Sequence, residues 1–247
     1  MRKSILKKYI PQIIRKNLRK LQAKIFGLEN EFKNMNNSEV FDKIYKERLW
    51  GENSEGLAIS GSGSNNKEII DPYISIIRDF LSKKKPSVIV DIGCGDFNIG
   101  SKFTDLAKKY IACDVSKVIL EKNKEKFLSL ENVSFRFFDL SKDQLPEGDV
   151  CLIRQVLQHL KNDDINLFVK KLNSNKPYKY LIVTEHLPFK RDFKPNLDKK
   201  SGKRTRLLID SGVVLDKEPF NLMFSKVTDL IEVDEYGGKI KTIVYEF

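Results

Sequence analysis

Glycine and acidic residues stand together at the ends of short apolar segments in this sequence. Residues 87–90 form an apolar, β-branched run that continues into a glycine turn at 91–95 (Asp-Ile-Gly-Cys-Gly), and two further apolar runs end at Asp114 and Asp139. A glycine turn lets a ligand approach bare backbone, and carboxylates accept hydrogen bonds from hydroxyls and amines. This ordered set indicates a site for a nucleoside without a polyphosphate.

Two common phosphate motifs are missing at this turn. A dinucleotide fingerprint would have a third glycine at the position of Asn98, and a P-loop would continue with Gly-Lys-Ser/Thr. Structural caps and turns are the other explanation for the glycine and acidic residues.

The two histidines, His159 and His186, follow the fourth and fifth apolar runs. We expect both just beyond strand ends, where His159 is the first candidate for a general base. A histidine that orients a loop is the alternative for His159. His186 is a candidate for acceptor binding or for the base. Glu185 would bind a polar acceptor or be solvated.

Other polar residues flank the same region. Arg154 would pair with a carboxylate of a cofactor or an acidic substrate, or form a salt bridge with a neighbouring acid. Trp50 precedes a Gly/Ser-rich run, so residues 50–64 are expected to form a lid over the site or a disordered linker. The fourth run ends in Arg154-Gln155 rather than in clustered acids, so we predict no metal.

Short buried strands alternating with helices predict an α/β fold with a parallel sheet. The predicted strands are 87–90, 110–113, 133–138, 150–153 and 180–183, and the helical segments are 39–49, 69–81, 101–109, 117–130, 155–160 and 163–172. Residues 230–236 and 239–245, joined by two glycines, predict a C-terminal antiparallel hairpin. The stretch 185–226 lacks periodicity and is expected to contain an insertion.

The basic residues are concentrated at the N-terminus. The formal charge of the 247-residue chain is +11, and nine cationic residues precede Glu29 without any acid. Apolar residues recur there at helical spacing. Residues 1–28 therefore predict a basic amphipathic helix on an anionic membrane or an acidic partner, or a helix packed on its own domain or a second subunit. The three widely spaced cysteines, without an export signal, predict reduced cytosolic thiols.

The glycine turn and the strand-end acids, with 149–160 (DVCLIRQVLQHL), resemble class I S-adenosylmethionine-dependent methyltransferases over about residues 68–247. The resemblance implies a Rossmann-like sheet of seven strands with the last antiparallel. It implies S-adenosylmethionine with its methionine moiety over Gly93 and Gly95, its ribose on Asp114 and its adenine near Asp139 and Leu140. The positions assigned to the cofactor are Asp91, Gly93, Cys94, Gly95, Asn98, Asp114, Val115, Asp139, Leu140, Arg154 and Gln155.

A narrower resemblance is to a bacterial methyltransferase subfamily with a Ser-Gly-x-Gly-Ser segment, a Cys-Gly-Asp-Phe-Asn-Trp turn and a Pro-Pro-Phe-Asn segment. This chain has Ile99 for the tryptophan and Glu218 for the first proline. Similar proteins are encoded among surface-polysaccharide and secondary-metabolite pathways. The candidate acceptor residues are Trp50, Ser60, Gly61, Glu185 and Asn221.

The sequence thus predicts a basic helical extension (1–38), a helix with a Gly/Ser lid (39–67) and a cofactor-binding domain (68–247). We expect a cytoplasmic enzyme, with peripheral contact at the inner membrane face through residues 1–28. It would O-methylate a sugar or sugar nucleotide in surface polysaccharide (capsule) biosynthesis and release S-adenosylhomocysteine. A nucleic-acid methyltransferase and a non-catalytic scaffold are the alternatives. No Asn/Asp-Pro-Pro-Tyr/Phe segment follows the fourth strand, which disfavours nucleic acid as the partner.

Overall fold

The computed structural model describes residues 29–247. The basic amphipathic helix predicted before Glu29, with its membrane or protein contact, lies outside the described residues. None of the helices within residues 29–247 combines the length and the apolar character that crossing a bilayer requires.

A seven-stranded sheet forms the centre of the described chain, in the order β3-β2-β1-β4-β5-β7-β6. The strands are β1 (Val88–Ile92), β2 (Lys109–Asp114), β3 (Val133–Phe137), β4 (Val150–Arg154), β5 (Tyr180–Pro188), β6 (Lys226–Glu235) and β7 (Gly238–Glu246). The first five pair in parallel, and β7 lies antiparallel between β5 and β6. The predicted Rossmann-like sheet with an antiparallel C-terminal hairpin is confirmed.

The apolar strand residues fill both faces of this sheet. Ile89 and Val90 in β1 are fully buried, and they belong to separate apolar clusters on opposite faces. Successive side chains of a strand point to opposite faces, so a strand covered on both sides needs a continuous apolar run. This explains why the central strands show no polar alternation in sequence.

Within residues 29–247, four α-helices connect or cover these strands: α1 (Asn37–Lys46), α2 (Lys67–Lys84), α3 (Lys117–Lys126) and α4 (Asn162–Asn175). A capping box between Asn36 and Glu39 starts α1, so the helix begins inside the polar break and ahead of the boundary proposed at residue 38. The predicted helices over 101–109 and 155–160 are instead 3-10 helices, at Gly100–Leu106 and Leu157–His159.

Strand β5 is longer than the sequence predicted. It continues to Pro188 because β7 pairs with it as far as Pro188↔Gly238. Glu185 and His186 therefore lie within the strand, and the expectation that His186 follows a strand end is wrong. Residues 189–225, between β5 and β6, form the insertion, which contains the 3-10 helix Arg206–Ile209.

The described chain contains three free cysteines. Cys113 and Cys151 are buried in β2 and β4, and burial raises the pKa of all three thiols, so they are protonated at neutral pH. No group of three or more His, Cys, Asp or Glu side chains within residues 29–247 is arranged to hold a metal ion.

Candidate functional site

The turn after β1 exposes backbone at the carboxyl edge of the sheet. Gly93 and Cys94 both donate their amide hydrogens to the carbonyl of Cys113, at 2.8 and 2.9 Å. Gly93 and Gly95 have φ angles of +73° and +56°, in the left-handed region that glycine adopts without strain. A Cβ on Gly95 would lie 2.3 Å from Ser60 Oγ, so the turn and the residues above it fit only because this side chain is absent.

Two buried carboxylates flank the turn. Asp91 accepts a hydrogen bond from the Tyr110 hydroxyl at 3.0 Å, and Asp114 accepts from the amides of Gly95 and Ser116 at 3.0 and 2.8 Å. Burial raises the pKa of Asp91 to about 7 and that of Asp114 to about 6. Desolvation disfavours the charged form of both groups, so each gains from a ligand that donates hydrogen bonds.

Asp139 follows β3, beyond Phe138, and is held differently. Its carboxylate accepts hydrogen bonds from the amide and hydroxyl of Ser141 and lies 3.4 Å from the Lys142 ammonium. Burial would raise the pKa of Asp139, but these partners lower it, so the side chain stays ionised at neutral pH. Asp139 is therefore available as an acceptor at the far end of the strand edge.

These groups line one cavity of about 1060 Å³, including the space open to solvent, which we call the first cavity. The predicted positions that line it are Trp50, Ser60, Asp91, Gly93, Cys94, Gly95, Asp114, Val115, Asp139, Leu140, Arg154, Gln155 and His159. Asn98 does not line it, contrary to prediction, because its Oδ1 accepts a hydrogen bond from Lys126 Nζ at 2.7 Å.

Residues 50–64, the lid segment, cover part of the first cavity. The amide of Ser60 donates to Asp96 Oδ2 at 3.0 Å, and the amide of Asp96 donates back to Ser60 Oγ at 2.8 Å. Tyr45 Oη lies 3.2 Å from the same Ser60 hydroxyl. The Gly/Ser run thus contacts the glycine turn directly.

Arg154 joins the end of β4 to the lid segment. Its guanidinium donates to Ser64 Oγ at 3.1 Å and to the carbonyl of Gly63 at 2.8 Å, and it lies 4.9 Å from the centre of the Tyr73 ring. Arg154 Nε is buried and has no hydrogen-bond partner among residues 29–247. Arg154 therefore does not form the alternative salt bridge with an acid within residues 29–247. Its guanidinium is instead bonded to the lid segment.

Gln155 is a strained residue on the same wall. Its φ angle is +55°, and its amide donates to the carbonyl of Thr184 at 2.6 Å. Its side-chain Nε2 is buried without a partner among residues 29–247. Left-handed backbone is costly for a residue with a side chain, and such conformations are concentrated at functional sites.

A second cavity, of about 1230 Å³ with its open space, adjoins the first. Trp50, Ser60, Gln155 and His159 line both cavities, so they form a shared wall. The residues found only in the second cavity come from residues 49–63, the 3-10 helix Leu157–His159, β5, the insertion and the C-terminal hairpin. Among them are Gly61, Gln158, His186, Lys203, Arg204, Glu235 and Tyr236. Gln158, Glu235 and Tyr236 were not predicted, because no motif marks them.

His159 stands in the shared wall in a defined orientation. Its Nδ1 lies 3.2 Å from the carbonyl of Gly202, its Nε2 lies 3.3 Å from Gln158 Nε2, and the Trp50 ring is 5.0 Å away. A carbonyl can only accept, so Nδ1 carries the proton and Nε2 holds the lone pair. Burial, assisted by the charge of Lys199, lowers the pKa of His159 to about 3, so the ring is neutral.

His186 lines the second cavity from within β5. Burial lowers its pKa to about 4, and its Nε2 has no hydrogen-bond partner among the described residues. The ring is therefore neutral, with an unused polar atom.

Two predicted acceptor residues lie elsewhere. Glu185 is 3% exposed and accepts hydrogen bonds from the amides of Leu157 and Gln158 at 3.0 and 2.9 Å, so it is neither solvated nor open to an acceptor. Asn221 is exposed, and its carbonyl accepts from Asn173 Nδ2 at 3.2 Å. Neither residue lines the first or the second cavity.

The first cavity matches the functional groups of S-adenosylmethionine. Asp91 and Asp114 are buried acceptors for an amine and for hydroxyls, and the glycine turn leaves room for a ligand against its backbone. The unpartnered Nε of Arg154 is a cationic donor that suits a carboxylate. Val115 and Leu140 add apolar surface suited to a flat base.

Comparison with known proteins agrees with this geometry. A family described as a methyltransferase domain matches residues 90–175, from β1 to the end of α4. No curated protein matches the sequence.

Solved structures share the fold at low sequence identity. The methyltransferase domain of bacterial CtHen1 has a TM-score of 0.50 at 17% identity, over 72% of this chain and 98% of that one. The N-terminal domain of EvdMO1, solved in the presence of S-adenosylhomocysteine and D-fucose, has a TM-score of 0.54 at 16% identity, over 86% and 97%. Human N-acetylserotonin methyltransferase in complex with S-adenosylmethionine has a TM-score of 0.58 at 16% identity, over 95% and 67%.

The fold is Rossmann-like with the strand arrangement of these methyltransferases. The matched segment is similar to a methyltransferase domain, and together with the shared fold this similarity supports an enzyme of the S-adenosylmethionine-dependent class.

Proposed function

We propose that this enzyme binds S-adenosylmethionine in the first cavity and methylates a hydroxyl of a small polar acceptor held in the second. The observation that carries this proposal is the wall shared by the two cavities, which includes Ser60, Gln155 and His159. When bound, the cofactor supplies an electrophilic methyl group on a sulfonium leaving group. An in-line transfer needs donor and acceptor on opposite sides of one short gap, which two adjoining cavities can provide.

Each polar group of the cofactor is assigned to a residue that lines the first cavity. Asp114 would accept hydrogen bonds from the ribose hydroxyls, and Asp139 would accept from the adenine amine. Arg154 would hold the carboxylate and Asp91 the amine of the methionine end. These roles rest on charge and position, because each residue lines the cavity at the end of a strand or just after it.

His159 would orient the acceptor. With its proton fixed on Nδ1, its Nε2 is an acceptor that faces the Gln158 side-chain amide at 3.3 Å. An acceptor hydroxyl would replace this amide, donate its hydrogen to Nε2 and turn an oxygen lone pair toward the donor cavity. A pKa of about 3 makes it a weak base, so it would take the proton only as the oxygen gains positive charge. His186 is the second neutral acceptor in the same cavity.

The unused polar atoms of the second cavity favour a sugar. Gln158 Oε1 and His186 Nε2 are unpartnered acceptors, and Gln155 Nε2 is an unpartnered donor, counted over residues 29–247. All three atoms are buried, but their residues line the second cavity. Hydroxyls both donate and accept, so a polyhydroxylated ligand would satisfy these atoms once the side chains turn toward it. The EvdMO1 domain was solved in the presence of D-fucose, which is a polyhydroxylated ligand of this kind.

The insertion brings positive charge to the second cavity. Lys203 Nζ is paired with Glu31 at 2.7 Å, whereas the guanidinium of Arg204 has no ion-pair or hydrogen-bond partner within residues 29–247. We propose that Arg204 contacts an anionic group such as the diphosphate of a sugar nucleotide.

We further propose that the reaction belongs to surface polysaccharide (capsule) biosynthesis in the cytoplasm. The cationic residues before Glu29 support a peripheral contact with an anionic membrane, which would bring the enzyme close to such intermediates.

Calorimetry with S-adenosylhomocysteine, followed by a mass-shift assay, tests the proposal. The assay seeks products heavier by one CH2 over neutral sugars, sugar phosphates, sugar nucleotides and bulk RNA or DNA. Binding together with methylation of a sugar derivative is the expected result. Salt-sensitive methylation of nucleic acid would favour the first alternative, and no binding at millimolar ligand would favour the scaffold.

A further inference from the structure

We propose that Glu29 is a positioning residue for His159, acting through the backbone of Gly202 and Arg204. The expected effect on kcat rests on the proposed function, whereas the expected effect on the tautomer of His159 rests on the contacts alone. Glu29 is 2% exposed although it is a carboxylate, and it takes no part in the roles assigned above.

The Glu29 carboxylate is fixed to the insertion. Its Oε1 accepts the amide hydrogen of Arg204 at 2.6 Å, while Oε2 is buried without a partner among residues 29–247. Its φ angle is +62°, which is costly for a residue with a side chain. The burial of the carboxylate and the backbone conformation of Glu29 both cost free energy, which the contacts of this residue must offset.

Gly202 lies directly against this carboxylate. A Cβ on Gly202 would be 2.5 Å from Glu29 Cδ, and the three nearest atoms all belong to Glu29. The position does not use left-handed backbone, so Glu29 alone accounts for the tight space.

The same glycine holds His159 at two points. The Gly202 amide donates to the His159 carbonyl at 2.9 Å, and the Gly202 carbonyl faces His159 Nδ1 at 3.2 Å. The second contact keeps the proton on Nδ1 and leaves Nε2 as the acceptor. A shift of residues 202–204 would therefore remove this contact and leave only the Gln158 amide at Nε2 to set the tautomer of His159.

Electrostatics point in the same direction. Lys199 is 6% exposed and donates to the carbonyls of His159 and Lys200. Burial lowers the pKa of Lys199 to about 8, and the negative charge of Glu29 opposes that shift. Glu29 thus helps to keep a cation charged beside His159, in addition to fixing the backbone.

The test uses the full chain with nitrogen-15 histidine. The sequence has two histidines, so a long-range proton–nitrogen spectrum resolves both rings and reports their tautomers without any substrate. The wild type should show the His159 ring in the Nδ1–H form, and its signals are distinguished from those of His186 by their loss in His159→Ala.

We expect Glu29→Ala to mix the two tautomers of His159 and to lower kcat by at least about tenfold, with KM for the cofactor unchanged. Glu29→Gln keeps an acceptor for the Arg204 amide and should restore the Nδ1–H form and most of kcat. Glu47→Ala removes an exposed carboxylate that lines neither cavity and serves as the control, with both readouts at wild-type level.

A double-substitution cycle covers the case in which Glu29→Ala folds poorly. Gly202→Ala should displace the Glu29 side chain and mix the tautomers. Glu29→Asp has a shorter side chain, so Gly202→Ala should lower the free energy of unfolding less in Glu29→Asp than in the wild type. Additive effects, or an unchanged tautomer in both Glu29→Ala and Gly202→Ala, would overturn the proposal. If no acceptor is methylated by the wild type, the proposed function fails, and the spectra and unfolding free energies still decide the role of Glu29.

Discussion

Ser60 and Asp96 bind each other through two hydrogen bonds in opposite directions, each using one backbone amide and one side chain. The two residues are 36 positions apart in the chain. Their contact attaches the lid segment to the glycine turn, directly above the backbone at Gly95. The position of the lid and the shape of the first cavity are therefore coupled.

Ser60→Ala tests this coupling. The change leaves the Asp96 amide without its partner, so we expect a loss of about 1–3 kcal/mol in the free energy of unfolding and weaker binding of S-adenosylhomocysteine. Urea unfolding and calorimetry measure the two effects. Glu55→Ala, at an exposed position of the same segment, is the control. Wild-type affinity in Ser60→Ala would show that the lid does not contribute to the first cavity.

Asp114→Ala should weaken cofactor binding by about 1–3 kcal/mol, the range for a hydrogen-bonded charged contact. The pKa of about 6 adds a pH dependence, because the protonated carboxyl loses acceptor capacity. Affinity in the wild type should fall as the pH drops below about 6, more steeply than in Asp114→Asn. Parallel titration curves for the two proteins would contradict the ribose role.

His159→Ala should lower kcat by about a hundredfold and leave the affinity for S-adenosylhomocysteine near that of the wild type. Because the pKa of His159 lies near 3, the wild-type pH–rate profile should show no inflection from this ring near its ordinary value of 6.5. Stopped assays across pH 5–9 and calorimetry provide the measurements. Normal turnover without the imidazole would remove His159 from the mechanism.

Glu185 should make stability depend on pH. Burial raises its pKa from 4.5 to about 8, so between these values the folded chain binds more protons than the unfolded chain. The favourable contribution is complete below pH 4.5 and is lost as the pH rises through about 8. Glu185→Gln should therefore flatten the fall in unfolding free energy over this window. Equal slopes in the two proteins would place the titration elsewhere.

Arg204→Ala should raise KM for an anionic acceptor by about tenfold or more and leave KM for the cofactor unchanged. Arg191→Ala removes an exposed charge of the same insertion and is the matched control. Initial rates with a sugar nucleotide and with the corresponding neutral sugar distinguish charge recognition from general damage. An equal effect on both substrates would contradict the contact with an anion.

Local patterns were sufficient to predict the first cavity. Apolar runs that end in Asp91, Asp114 and beside Asp139 are short parallel strands, and parallel strands bring their carboxyl ends to one edge. Asn98 was misplaced because its side chain points to Lys126 on α3, a contact that no spacing rule contains.

The second cavity could not be predicted in the same way. Its walls depend on pairing between β5 and β7, which lengthens β5 as far as Pro188 and encloses Glu185 and His186. The insertion contributes Arg204, and its sequence has no periodic pattern from which its fold could be predicted. Long-range contacts of this kind leave no regular pattern in the residues that form them.

The shared wall also has an evolutionary consequence. Apart from that wall, the first cavity is built mainly from the β1–β4 region and α1, whereas the second uses the lid segment, β5, the insertion and the C-terminal hairpin. Under the proposed function, substitutions that admit a new acceptor can therefore fall in one group of segments and leave the proposed methyl-donor cavity unchanged. One scaffold could then serve different acceptors with the same cofactor site.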